Sequence, residues 1–236
     1  MVTLKHIVFD LLDVIRQGKQ SDDDPIPYRQ VAWHVHNVRA KLIREDLAKN
    51  RSVSDNIKQS LGCMDVSKVD ASLCCSTNID CDVYRTDMQI PQPVELLQKD
   101  LITRVGSIVI GSKPYVIVPI ERIPYIGFTP FSGINNAVYC SIVNRYIFIF
   151  MKKKNKVIKK ITCEGVWADP TEVSGYTTCE SNACYTDDSY YPISQHMIEP
   201  LKQIILANNL KLEMQAPADL KGNAQGTTET TVNREG

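Results

Sequence analysis

Two of the four histidines, eight cysteines, a run of three aspartates and a cluster of lysines are the side chains of this sequence that could do chemistry. His34 and His36 stand two residues apart. On a helix that spacing turns the imidazoles about 200° away from each other, so they cannot grip one metal ion. They are expected instead to flank an apolar stripe and to meet neighbouring helices or solvent. The cysteines are Cys63, Cys74, Cys75, Cys81, Cys140, Cys163, Cys179 and Cys184. None forms a CxxC pair, and the adjacent Cys74 and Cys75 suit a tetrahedral zinc site poorly. They read as buried, small, apolar thiols. They are expected to be reduced, because no amino-terminal stretch combines a basic leader, an apolar core and a small-residue cleavage site. Asp22-Asp23-Asp24 lacks the Gly and the distant Glu of a calcium loop and reads as a solvated turn ahead of a helix. There is no GxxxxGK[ST], no GxSxG and no His or Cys in a recognisable nucleophile setting. A triad assembled from distant residues would leave no such trace. The reading is therefore a non-enzyme with no metal and no cofactor.

Charge is the feature that does stand out. The sequence carries 27 Lys+Arg and 27 Asp+Glu, yet residues 101–160 hold ten bases and a single acid, and residues 161–236 hold four bases and eleven acids. The overall zero thus hides two opposed fields. Six of the bases, Lys152, Lys153, Lys154, Lys156, Lys159 and Lys160, fall in nine residues. They can be a solvated turn, a contact with DNA phosphates, or a contact with acids on a neighbouring copy such as Glu172, Glu180, Asp187 and Asp188.

The elements that must carry these residues follow from periodicity. Leu4, Ile7, Val8, Leu11, Leu12 and Ile15 form one stripe of a first helix. Asp24, Pro25 and Pro27 start a second, in which Tyr28, Val31, Val35, Val38, Leu42 and Leu47 share a face over about 24 residues, or about 35 Å. Its opposite face carries Arg29, Gln30, Arg44 and Glu45. A short third helix is predicted from Ser54 or Asp55 to Leu61, closed by Gly62. Strand-forming runs then appear at 83–86, 102–110 and 115–120. Tyr139–Val143 and Tyr146–Met151 read as a hairpin about Asn144-Arg145. Lys152–Lys156 is predicted as the next turn and Val157–Trp167 as the returning strand, giving an antiparallel meander that Asp169-Pro170 ends. Tyr146, Phe148 and Phe150 fall on one face of their strand, as core more often than as a base-stacking platform. Thr171–Asp188 reads as loop. A last helix starts near Glu199 with Pro200 in its first turn. Beyond Ala216 almost nothing is apolar, and the tail is expected to be disordered alone. The fold class is α+β: a helical segment 1–62, an antiparallel β region 63–190 of meander or sandwich type, a helix in 191–215 and a flexible tail 216–236. The longest apolar run, Tyr146–Met151, is far short of the roughly 20 residues of a membrane helix, so the chain is expected to be soluble.

Several short segments carry a resemblance. They are Arg39-Ala40-Lys41-Leu42-Ile43-Arg44, Gly62-Cys63 with Asp70 and Cys74-Cys75, and Tyr84-Arg85-Thr86 running into Ile90-Pro91-Gln92-Pro93. Further on come Asn144-Arg145-Tyr146-Ile147, Gly165-Val166-Trp167-Ala168-Asp169-Pro170 and Tyr191-Pro192-Ile193. In order and spacing, over roughly Tyr28 to Asp219, they resemble the ring or connector proteins between portal and tail of crAss-like and related short-tailed bacteriophages. The family's hairpin turn is typically Asn-Gly, from which Arg145 departs. The resemblance implies a non-enzymatic virion protein of the neck or tail, made in the host cytoplasm. It implies a ring of about twelve copies around the channel of genome passage. Its implied partners are other copies, the portal protein and other neck or tail rings, with no membrane. On that view Arg29, Arg44, Glu172, Glu180, Asp187 and Asp188 are candidates for contact with another subunit or the portal. The lysine cluster meets DNA or a partner protein. The alternative is a nucleic-acid-binding accessory protein that uses the lysine cluster.

Overall fold

The computed structural model describes residues 2–16, 26–50, 52–73, 81–97, 99–109, 111–126, 137–151 and 157–210. Asp22-Asp23-Asp24, Cys74, Cys75, Lys152, Lys153, Lys154, Lys156 and the tail beyond 216 lie outside the described residues.

The first helix, α1 (Leu4–Arg16), buries Leu4, Ile7, Val8, Leu11 and Leu12, the stripe that its spacing predicts. The second, α2 (Tyr28–Asn50), is covered over much more than a stripe. Val31, Ala32, His34, Val35, His36, Val38, Arg39, Ala40, Ile43 and Leu47 are all buried. It is the central helix, with α1 on one side and the carboxy-terminal helix on another. That last helix, α4 (Ile198–Ile204), follows a 3-10 turn at Gln195–Met197 and holds Pro200 in its first turn, where a missing N–H does no harm. The core around these helices is completed from the β region by Val94, Leu101, Val166, Tyr191 and Ile193. Each aliphatic side chain among them, fully buried, contributes about 1.5–3 kcal/mol.

The strands of the main sheet are β1 (Gln59–Ser60), β2 (Met64–Val69), β3 (Asp82–Thr86), β6 (Ile102–Ser107), β7 (Val116–Ile117), β8 (Tyr139–Val143), β9 (Tyr146–Met151) and β10 (Lys160–Gly165). A separate small hairpin joins β4 (Glu95–Leu96) to β5 (Lys99–Asp100). The main order is β1-β10-β2-β3-β9-β8-β7, with β6 on the other edge of β10. The sheet curls because β2 changes partner part-way: Met64 and Asp65 pair with β10, whereas Val66 to Val69 pair with β3. Ile147, Ile149 and Met151 face the inside of the curl with Val105, Ile161, Cys163 and Trp167. Phe148 and Phe150 point the other way, against Val83 and Ile123 of the short helix α3 (Ile123–Ile126). The aromatic face of β9 is therefore core, as its alternation suggests.

Four local expectations are corrected. Val157–Trp167 does not return along β9. Both edges of β9 are already taken, by β3 and β8, so β10 pairs with β1, β2 and β6 and the lysine segment links two separated strands. The predicted third helix is only a 3-10 turn at Asp55–Ile57 followed by β1. Ile57 and Leu61, four apart, look helical but enter different cores, and extended chain is needed to reach both. One pairing, β7 with β8, is parallel within the otherwise antiparallel sheet. Finally, Cys63 and Cys179 form a disulfide, with Cα atoms 5.0 Å apart, where reduced thiols were expected. Cys81, Cys140, Cys163 and Cys184 are free. Among the described residues no helix is long and apolar enough to cross a membrane.

Candidate assembly surfaces

The segments that carry the resemblance meet in the interior. Arg39, a fully buried side chain on α2, donates through Nε to the Pro192 carbonyl at 2.6 Å and through Nη1 to the Trp167 carbonyl at 2.8 Å. Its guanidinium also lies 5.5 Å from the centre of the Tyr191 ring. One turn earlier, His36 Nδ1 shares a 2.8 Å hydrogen bond with the Tyr191 hydroxyl, and its Nε2 stands 3.6 Å from Asp169. A charge that deep is tolerated only with partners on every side. Here two carbonyls and an aromatic face supply most of them, while Nη2 is buried without a hydrogen-bond partner, and α2 is thereby pinned to the Trp167–Asp169 segment and to Tyr191-Pro192. Burial lowers the His36 pKa, with Asp169 opposing and Arg39 adding to the effect. Burial likewise raises the Tyr191 hydroxyl well above its ordinary value and lifts Tyr185 to about 12.

A second junction is built on the β8–β9 turn. Asn144 and Arg145 both adopt left-handed backbone, at φ 51° and 66°, as a two-residue hairpin of this type requires. Arg145 tolerates it because its side chain is used. Its Nε donates to the Ile90 carbonyl at 2.8 Å, the Ile90 N–H donates back to the Arg145 carbonyl at 2.7 Å, and Nη2 lies 3.4 Å from Glu172 Oε2. Gln92 accepts from the Ala168 N–H, and Pro93 bridges Trp167. Ile90–Pro93, the hairpin turn and Gly165–Asp169 are one interlocked unit.

The candidate contact residues separate into two groups. Glu172 is exposed but engaged within the subunit by Arg145. Asp187 and Asp188 lie 3.9 Å and 3.6 Å from Lys5 on α1, all three largely exposed. Glu180 is exposed beside the Cys179 disulfide. Lys159 and Lys160 are exposed, and Lys160 is 3.6 Å from Asp65. Arg29 and Arg44 are exposed on α2, about 22 Å apart along its axis at 1.5 Å per residue. The structure therefore does not gather these residues into one site. It distributes them over the surface.

The amino-acid pattern of the family described as phage tail ring protein 2 matches residues 6–230. This chain belongs to the phage tail ring protein 2 family. A comparison with curated proteins returns no significant match. The chain is thus a structural ring protein of a phage tail.

Two surface patches of this ring protein combine exposed aromatic side chains with charge. On α2, Trp33 is 61% exposed and lies on the solvent-facing stripe with Asn37, Lys41 and Arg44, with Arg29 at its edge. About 140° around that helix, Tyr28 contacts Phe9 of α1, ring centres 5.8 Å apart, and Phe9 is 52% exposed. Asp187 lies close enough to Tyr28 to help raise the phenol pKa, after the larger effect of burial. Lys5 and Asp13 stand one turn to either side of Phe9. Trp33, Phe9 and the interior role of Arg39 were missed in the sequence. Trp33 could have been found as a large aromatic residue on the polar face of its helix. Arg39 could have been found as a cation four residues after Val35 and four before Ile43, within the buried register.

Proposed function

We propose that this tail protein assembles head to tail into a closed ring of about twelve copies in the neck of a short-tailed phage. In this reading it encircles the channel through which the genome passes and joins the portal protein and other neck or tail rings. It is made in the host cytoplasm, acts in the virion and catalyses no reaction. The match to the ring family over residues 6–230 carries the reading. The exposed aromatic and charged patches support it, because Trp, Phe and Arg are enriched where proteins meet. Within the ring, segment 1–62 and the loop that carries Asp187 and Asp188 form the contact layer, and the rest of 63–190 is the scaffold. The basic segment Lys152, Lys153, Lys154, Lys156, Lys159 and Lys160 faces DNA in the lumen or acids of the adjacent copy, and Glu172, Glu180, Asp187 and Asp188 face outward from the opposite charge field.

Mass photometry and negative-stain imaging of the purified protein, alone and with its portal, test this. Closed rings, free or seated on the portal, are the expected result. A chain that stays monomeric and never joins the portal overturns it. The contrasting role, nucleic-acid binding as an accessory protein, would show as DNA affinity that falls steeply with salt and vanishes when Lys152, Lys153 and Lys154 become Ser.

A further inference from the structure

The geometry points to the seam between copies: the Trp33 stripe of α2 on one copy receives the Phe9–Tyr28 patch and the acids Asp187 and Asp188 of the next. This rests on the ring reading and specifies which faces meet. Three observations carry it. The first is sign. The α2 stripe offers Arg29, Lys41 and Arg44, and Arg29 and Arg44 have no ion-pair partner among the described residues, while Lys41 reaches only Glu45 at 4.0 Å. The other patch offers Asp187 and Asp188, whose ion pairs among the described residues are with Lys5 at 3.9 and 3.6 Å, and Asp13 two turns further along α1. Exposed pairs that long contribute little, so both acids remain available.

The second is composition. Each patch has a large exposed aromatic side chain at its centre, Trp33 in one and Phe9 in the other. Aromatic side chains and Arg are the residue types that anchor protein interfaces. The third is placement. Asp187 and Asp188 sit near Tyr28, at the start of α2 and on its α1 side. Arg44 sits about 24 Å further along the helix and on a different face. The Arg44 end of the stripe cannot reach the acids of its own copy, yet a second copy displaced along the helix brings them together. Because the faces differ, the contact is heterologous, the kind that continues from copy to copy and closes when the rotation permits. With Asp187 and Asp188 assigned here, the lysine segment 152–160 is left for other contacts.

The test is a charge swap on the full-length protein, with assembly read by mass photometry over a concentration series and folding checked by circular dichroism. Arg44→Glu, Trp33→Ala and the pair Asp187→Lys/Asp188→Lys should each raise the concentration needed for assembly by about tenfold or more. The charge deficit should deepen as salt is lowered, because the new like charges are then less screened. Combining Arg44→Glu with Asp187→Lys/Asp188→Lys should restore most of the loss. Rings that form from Arg44→Glu and Trp33→Ala as readily as from wild type overturn the seam and leave the ring reading standing. So does a combined variant no better than its parents. A wild-type chain that is monomeric with and without portal removes the ring reading itself, and the seam with it.

Discussion

Arg39 is the residue that joins α2 to both the Trp167 and the Tyr191-Pro192 segments. Its two carbonyl partners come from segments more than a hundred positions away, 128 residues for Trp167 and 153 for Pro192. Arg39→Ala leaves both carbonyls unpaired in the interior, and the expected loss is about 3–5 kcal/mol in urea unfolding at unchanged slope. Arg39→Lys should recover only part of this, since an ammonium cannot reproduce the planar fork that spans two acceptors. His36 makes a pH prediction. Burial holds its folded pKa below the ordinary 6.5, so the imidazole stays neutral in the fold at pH values where the unfolded chain has already taken a proton. Its stabilising contribution is therefore complete above pH 6.5 and declines as pH falls below that value. The urea midpoint of wild type should drop more steeply below pH 6.5 than that of His36→Gln; equal slopes would show that His36 does not titrate as argued.

At the scale of elements, the β8–β9 turn shows how a local rule is broken and compensated. A non-glycine residue in left-handed backbone costs about 1–2 kcal/mol, and Arg145 offsets that with its bond to the Ile90 carbonyl and its approach to Glu172. Arg145→Ala keeps the strain and loses the contacts, so it should destabilise by about 1–3 kcal/mol. Arg145→Gly loses the same contacts but relieves the strain, and should lie within about 1 kcal/mol of wild type. If thermal unfolding places Gly no better than Ala, the turn is not strained as described. The turn at Gly62 has no such freedom. Its φ is +67°, and a Cβ there would come within 2.4 Å of the Thr177 carbonyl oxygen, so the glycine read as a helix stop is required by a strand-to-loop contact.

For the whole molecule, the disulfide Cys63–Cys179 ties the start of the β region to the acidic loop near its end across 116 residues. Closing a loop of that length stabilises by about 4–5 kcal/mol through the entropy of the unfolded chain. Non-reducing peptide mapping should recover the two cysteines linked. Reduction should lower the urea midpoint to that of Cys63→Ser, and a midpoint indifferent to reductant would argue against the bridge. The same loop carries Glu180 beside the bridge, so the bond also fixes where one of the exposed acids stands.

What the sequence by itself determined is local. The apolar stripe of α1, the course of α2, the hairpin about Asn144-Arg145, the inward and outward alternation of β9 and the place of Pro200 are each written within ten or twenty residues, because a period of 3.6 or 2 needs no more than that. The segregation of charge, and the segments that resemble a ring protein, were legible in the same way. The tertiary structure decided everything that depends on distant partners. Val157–Trp167 looked like the strand returning along β9, yet nothing in either segment records that β3 and β8 had already filled both edges. Ile57 and Leu61 mimicked a helix because spacing cannot tell one core from two. Arg39 stood in a segment that carries the resemblance, but its buried role depends on Trp167 and Pro192, which only the fold brings against it. The exposure of Trp33 was hidden for the same reason: whether it is core or surface depends on which faces of α2 the rest of the chain covers, and only the folded molecule leaves that face open.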